Sequence, residues 1–66
     1  MSVLARLLPD PPDEVRALIG QRVRLRDVPS ARGRVQAVVS ADLCWVQWDG
    51  ALYRAMEFVR RLERVS

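Results

Sequence analysis

Histidine and lysine are absent from this chain of 66 residues, and cysteine occurs only once. Without histidine, the side chain that most often acts as a general acid or base near neutral pH is missing. The single cysteine, Cys44, cannot close an internal disulfide and has no partner residues for a metal site. A buried, inert thiol is the expected state of such a residue. The residues themselves therefore indicate no catalytic constellation, no metal and no cofactor.

Glycine-rich segments and long hydrophobic runs are also missing. The three glycines lie far apart, so the chain has no glycine-rich loop that could cradle a phosphate. The segment before Pro9 holds too few apolar residues for a signal peptide or a membrane span. Together with the lone cysteine, which fits a reducing compartment, this predicts a cytoplasmic protein without a membrane partner.

Arginine and hydrophobic residues are what the chain has in abundance. Half of the residues are hydrophobic, and the net charge of +3 comes from eleven arginines against eight acidic residues. The positive charge is concentrated after residue 19, where nine arginines face five carboxylates. A basic domain favours an anionic partner, but the exclusive use of arginine also fits a GC-rich coding bias. A chain this short buries only about 60% of its unfolded surface, so a partner subunit would add to its stability.

Three prolines divide the chain into an N-terminal arm, residues 1–12, and one domain, residues 13–66. The apolar part of the arm, Val3–Leu8, is too short to be a stable helix alone. A short helix is predicted for Asp13–Ile19, because proline precedes it, acidic residues occupy its first turn and Gly20 follows it. The apolar residues expected to cap one end of the domain are Val15, Leu18 and Ile19.

From Gln21 onward the apolar pattern changes to a period of two, which predicts β-strands. The first strand alternates Val23 and Leu25 with arginines. The later elements are predicted as strands at Arg34–Ser40, Leu43–Trp48, Ala51–Met56 and Leu62–Val65, with a loop at Asp27–Gly33 and a 3₁₀ turn at Glu57–Arg60. On the second strand, Val35, Ala37 and Val39 are expected to point inward.

Asp49-Gly50 is predicted to form a tight hairpin turn with a positive φ. Several short strands with closely spaced turns are typical of an all-β fold. At this length, the prediction is a small five-stranded barrel with a short N-terminal helical segment.

Turn glycines and apolar positions after residue 19 carry a family resemblance. The motifs are Gly20-x-x-Val23-x-Leu25, Gly33-x-Val35, Trp45-Val46-x-Trp48-Asp49-Gly50 and Phe58-x-x-x-Leu62-Glu63-x-Val65. They resemble the small SH3-like barrels, above all the YodC-like bacterial proteins, and KOW and Tudor-like modules share the looser outline. The resemblance covers residues 20–65 and implies an SH3-like barrel. Because its motifs are turns and core positions, it implies a fold rather than an activity.

A second resemblance concerns the plasmid-borne trimethoprim-resistant dihydrofolate reductases, which are SH3-like tetramers around one pore. The similar segments here are Gly20–Arg24 and Leu62–Val65. In that family a Val-Gln-Ile-Tyr segment lines the pore, but the equivalent late strand here reads Ala51-Leu52-Tyr53-Arg54. The nearest string, Val46-Gln47-Trp48-Asp49, lies one strand too early. Reductase activity is therefore a remote alternative.

An arginine cluster is the first candidate binding site, and its members are Arg22, Arg24, Arg26, Arg32 and Arg34. The first three should share one face of a strand, with the other two on its neighbour. Guanidinium groups gathered in this way can contact phosphates. The alternative is that they are outward positions that only need to be polar.

Trp45 is the second candidate. Leu43, Trp45 and Gln47 alternate with Cys44, Val46 and Trp48, and the smaller set suits the core. Trp45 would then be exposed, for a base to stack on or a subunit to cover. The opposite phase would bury it.

Two functions follow from these sites. The first is a non-catalytic module that binds nucleic acid through the five arginines, with Trp45 stacking. The second is a protein-interaction or self-assembly module, including a homo-oligomer, that uses Trp45 and the apolar arm.

Overall fold

The computed structural model describes residues 11–65. The predicted arm contact at Val3–Leu8 lies outside the described residues. The elements in chain order are α1 (Asp13–Arg16), β1 (Arg22–Leu25), β2 (Arg32–Val38), β3 (Leu43–Trp48), β4 (Ala55–Phe58), a 3₁₀ turn (Val59–Arg61) and β5 (Leu62–Arg64). No helix in this part of the chain is long and apolar enough to cross a membrane.

All five strands belong to one antiparallel sheet with the order β4-β3-β2-β1-β5. The prediction of a small all-β fold with five strands and little helix is confirmed. The hydrogen-bonded order ends at β4 on one side and at β5 on the other. Closure into an SH3-like barrel would bring those two edges together, and it stays a prediction.

One face of the sheet, called the inner face, carries the core. Its buried residues come from four strands and are Val23, Val35, Cys44, Val46 and Leu62. Trp48 packs against this cluster, and its indole Nε1 donates a hydrogen bond to Glu57 Oε2 at 3.1 Å. Removing this apolar surface from water is the main force that holds such a small sheet together.

Cys44 is fully buried in that core. Burial raises the pKa of its thiol, and the nearby carboxylate of Glu57 raises it further. The predicted burial of Cys44 is therefore confirmed, and a thiol that is buried and protonated is a poor nucleophile. Within residues 11–65, no group of three or more histidine, cysteine or acidic side chains could hold a metal ion.

A β-bulge changes the second strand from its predicted pattern. The pairing with β3 shifts between Val35 and Ala37, so Gln36 is an extra residue on β2. Beyond the bulge, Val38 pairs with the buried Cys44 and packs on the core. The prediction that Ala37 and Val39 point inward is therefore wrong, and Val39 is 47% exposed. An inserted residue reverses the inward and outward alternation of everything after it.

Gly33 belongs to β2 rather than to the predicted loop. It pairs with Val23 on one side and with Trp48 on the other. A Cβ at this position would lie 2.5 Å from the backbone oxygen of Gln47 and 2.9 Å from the Cα of Trp48. Only glycine lets β2 and β3 approach so closely, which leaves room for the Trp48 ring against the core.

A turn with a positive φ forms at Asp49-Gly50 as predicted, but the prediction that it is a tight hairpin leading directly into a strand is wrong. Gly50 has φ +80°, and the backbone N–H of Ala51 donates to the carbonyl of Trp48 at 3.1 Å. Because only the second central residue has a positive φ, the turn lacks the twist of a two-residue hairpin. The chain leaves the ladder, and β4 begins at Ala55 instead of Ala51.

The predicted helix is shorter than its pattern indicates. It ends at Arg16 and continues as turns to Gly20, whose φ is +84°. The N–H of Gly20 donates to the carbonyl of Val35 at 2.8 Å, which draws the chain onto the sheet. Val15 is buried as expected, but Ile19 is 49% exposed, because the helix ends before a second turn could bring it inward.

Candidate nucleic-acid interface

The face of the sheet opposite the core, called the outer face, collects most of the predicted arginines. Arg22 pairs with Arg34 and Arg24 pairs with Arg32 across the β1–β2 ladder. Residues paired in a ladder project to the same side of a sheet, and Val23 between the two β1 arginines is buried on the other side. These four residues, called the arginine patch, are therefore brought together by the strand register.

Arg26 lies just beyond β1, and its backbone N–H donates to the carbonyl of Arg61 at 2.9 Å. Its guanidinium group is exposed and stands 3.8 Å from the Glu63 carboxylate. It sits at the margin of the arginine patch rather than within its paired rows.

Two members of the arginine patch are already paired with carboxylates. Arg22 donates two hydrogen bonds to Asp49, at 2.8 and 2.6 Å, and Arg24 Nε donates to Glu63 Oε2 at 2.9 Å. The hydrogen bonds from Arg22 hold the pKa of Asp49 below its usual value, and the charges of Arg32 and Arg34 lower it further. The same contact raises the pKa of Arg22. These carboxylates reduce the repulsion between arginines that face each other across the ladder.

Arg32 and Arg34 are the two open positions of the patch. Both are exposed, and neither guanidinium group forms an ion pair or hydrogen bond with any residue in the range 11–65. An exposed guanidinium group without a partner can bind a phosphate through two parallel hydrogen bonds without first breaking an internal contact.

Apolar side chains cover the outer face of β3 and β4. Leu43 pairs with Phe58, and Trp45 pairs with Met56. Trp45 and Leu43 are half-buried, while Met56 is 45% and Phe58 is 44% exposed. These four residues are called the aromatic strip. The phase predicted for β3, with Trp45 opposite the core, is confirmed, but Trp45 is half-buried rather than exposed as predicted. Whether it stacks on a ligand stays a prediction.

Two further arginines lie over the rings of the aromatic strip. The guanidinium carbon of Arg54 is 4.6 Å from the centre of the Trp45 ring, and that of Arg60 is 4.9 Å from the Phe58 ring. Both are cation–π distances. Arg54, Arg60 and Phe58 are not among the predicted site residues, because the predicted fourth strand begins several residues too early. The alternation of Met56 and Phe58, with Arg54 before it and Arg60 after it, was the available signal.

The arginine patch and the aromatic strip form one continuous surface, because β2 and β3 are neighbours. Arg34 pairs with Gln47, and two residues before Gln47 on the same face lies Trp45. The Gln47 amide donates to the carbonyl of Ala51 at 2.8 Å, which holds it against the turn. The outer face is thus a basic half and an apolar half joined along a single strand pair.

Comparisons of the chain with protein-family models, with curated proteins and with solved structures each found no match. The resemblances to the YodC-like proteins and to the trimethoprim-resistant reductases therefore stay predictions.

Proposed function

We propose that this protein is a small non-catalytic module that binds nucleic acid through the outer face of its sheet. The observation that supports this most strongly is the β1–β2 register, which pairs Arg22 with Arg34 and Arg24 with Arg32 on the solvent side. Four guanidinium groups in two facing rows present many hydrogen-bond donors to the phosphates of a nucleic acid. Phosphate contacts supply most of the affinity for nucleic acid.

The internal ion pairs do not conflict with this function. Arg32 and Arg34 meet a phosphate directly, whereas Arg22 and Arg24 exchange a carboxylate for it. Such exposed pairs contribute little to stability, so the exchange costs little. Binding should then depend steeply on salt, because each neutralised phosphate releases counterions.

The test is fluorescence anisotropy with labelled 20-nucleotide DNA and RNA and a 20-base-pair duplex at low salt. We expect micromolar binding that weakens as salt rises. In the double variant Arg32→Gln and Arg34→Gln, affinity should fall about tenfold and the salt slope should decrease by about one per arginine. Arg16→Gln is the matched control for each single variant, Arg32→Gln or Arg34→Gln, because it also removes one positive charge, but from α1 and not from the sheet. The proposal fails if no oligonucleotide binds at low salt, or if the control weakens binding equally.

A second candidate function is a protein-interaction or self-assembly module. It is favoured by the aromatic strip, because that strip borders the edge strand β4, whose outward backbone groups pair with no other strand of the described residues. Light scattering over a hundredfold concentration range tests self-assembly. A monomer at every concentration, in wild type and in Phe58→Ala alike, excludes a second copy as the partner.

A further inference from the structure

We propose that the outer face selects single-stranded over duplex nucleic acid, with unpaired bases stacking on Trp45 and Phe58. This inference rests on the proposed function, since it names the form of nucleic acid that the same surface takes. It assigns the aromatic strip to the bases and leaves the arginine patch to the phosphates.

The two rings occupy neighbouring positions on the sheet. Trp45 pairs with Met56, and Phe58 lies two residues further along β4. The two aromatic residues are therefore diagonal neighbours on one face, with their backbones about 7–8 Å apart. Both rings belong to the same open surface, so two neighbouring bases of an unpaired strand can reach them together.

A positive charge lies beside each ring. Arg54 lies over Trp45 at 4.6 Å and Arg60 over Phe58 at 4.9 Å. Both arginines are exposed, and within residues 11–65 neither forms an ion pair. A partly exposed apolar strip flanked by cations is complementary to a ligand that is both anionic and aromatic. A base can stack on the ring while the displaced guanidinium group stacks on that base or binds its phosphate.

The two forms of nucleic acid differ in what they offer to such a surface. A duplex presents phosphates and groove edges, and it keeps the flat faces of its bases inside the stack. If a duplex bound, Trp45, Met56 and Phe58 would have no exposed base face to stack or pack against. An unpaired strand offers those faces at no unpairing cost. The arginine patch should therefore bind both forms, and the aromatic strip should add affinity for the single strand alone.

The experiment measures dissociation constants for labelled dT20 and for a 20-base-pair duplex at one fixed salt concentration. Wild type should prefer dT20. Trp45→Ala and Phe58→Ala should each weaken dT20 binding about tenfold, while duplex binding changes less than twofold. The salt slope should not change, because no phosphate contact is lost. Val28→Ala is the control: Val28 is 46% exposed, apolar, and lies in the β1–β2 loop.

A second measurement covers the case in which an alanine variant unfolds. Stacking of a base on Trp45 should quench tryptophan fluorescence on addition of dT20. Trp45→Phe keeps an aromatic ring at this position, so it should retain most of the affinity and lose the quenching. Phe58→Leu keeps a side chain of apolar bulk without a ring. It should therefore weaken the binding of dT20 and leave the binding of the duplex unchanged.

The outcomes separate this inference from the proposed function. Absence of binding to either oligonucleotide overturns both. Equal affinity for dT20 and duplex, or ring variants that weaken both forms to the same extent, leaves nucleic-acid binding standing and overturns the single-strand assignment. Dissociation of an oligomer by Phe58→Ala also overturns it, because the aromatic strip would then be covered by a second copy.

Discussion

The two halves of the outer face differ in whether folding alone accounts for the residues found at the surface. Over β1 and β2, exposed arginines are the polar side chains that a solvent-facing strand requires, and two of them are paired with Asp49 and Glu63. Over β3 and β4, Met56 and Phe58 are almost half exposed and lie outside the core cluster formed by residues 11–65. Charged residues on a surface need no special explanation, but contiguous exposed apolar residues do. The aromatic strip is therefore the half whose exposure the folding of residues 11–65 does not explain.

The largest expected effect is on the strand pair that joins the two halves. Gly33→Ala places a methyl group 2.5 Å from the Gln47 backbone oxygen, so β2 and β3 must move apart. We expect a loss of about 3 kcal/mol, which is a large fraction of the stability of a 66-residue domain. Chemical denaturation followed by circular dichroism measures it.

Gly50→Ala is the matched control for Gly33→Ala. A Cβ at Gly50 meets no atom within 4 Å, and only the positive φ of +80° is strained. The expected loss is about 1 kcal/mol. Equal losses for the two variants would show that the close approach of β2 and β3 is unimportant.

The next effect separates the halves by their dependence on salt. We expect the slope of log affinity against log salt to decrease when Arg32 and Arg34 become glutamine, and to stay constant for Trp45→Ala. The reason is that arginines displace counterions and aromatic rings do not. Titrations at four salt concentrations measure the slopes. If Trp45→Ala changed the slope as much as the arginine variants, the division of the surface would be wrong.

A smaller effect is expected where a carboxylate neutralises the basic half. Asp49→Asn removes the negative charge beside Arg22, so it should strengthen nucleic-acid binding two- to threefold. Asp42→Asn is the control, since Asp42 has no ion pair in the described part of the chain. Anisotropy at a single low salt concentration measures both variants. Equal strengthening by both would indicate that only net charge matters.

The smallest effect concerns pH and again distinguishes the basic half. Arg22 lowers the pKa of Asp49 in the folded protein below its unfolded value of about 3.9. The contribution of Asp49 to stability is therefore fully present above about pH 4 and is lost as the pH falls through the lower folded pKa. Wild type should lose slightly more stability between pH 6 and pH 3 than Asp49→Asn does. Urea midpoints at both pH values measure the difference, and identical losses would contradict the pairing.

Local patterns predicted much of the fold. Leu43–Trp48 was predicted with its observed limits, because its alternation is uninterrupted and turn residues flank it on both sides. The gathering of the arginines also followed from local alternation, together with the antiparallel pairing of consecutive strands. These features depend on neighbours only a few residues apart, and sequence periodicity reports such relations directly.

The failures have longer-range causes. The bulge at Gln36 depends on how β2 fits against β3, and no residue type marks it in advance. The late start of β4 follows from the geometry of the turn at Gly50. As a result β4 extends to Phe58, two residues beyond the end of the predicted strand, and Phe58 lies on the outer face. The ion pair between Arg22 and Asp49 joins residues 27 positions apart, which only the folded register brings together.

Composition and a period of two were enough to determine the class of fold, the buried apolar set around Val35 and Val46, and the basic character of one strand. They were enough because burial of alternate apolar residues is the main driving force for forming a half-exposed sheet. Which arginines are paired and which are open was settled only by the folded chain, as was the placement of Trp45 and Phe58 on one face. Both depend on strand register, which is set by packing and by bulges between segments distant in the chain.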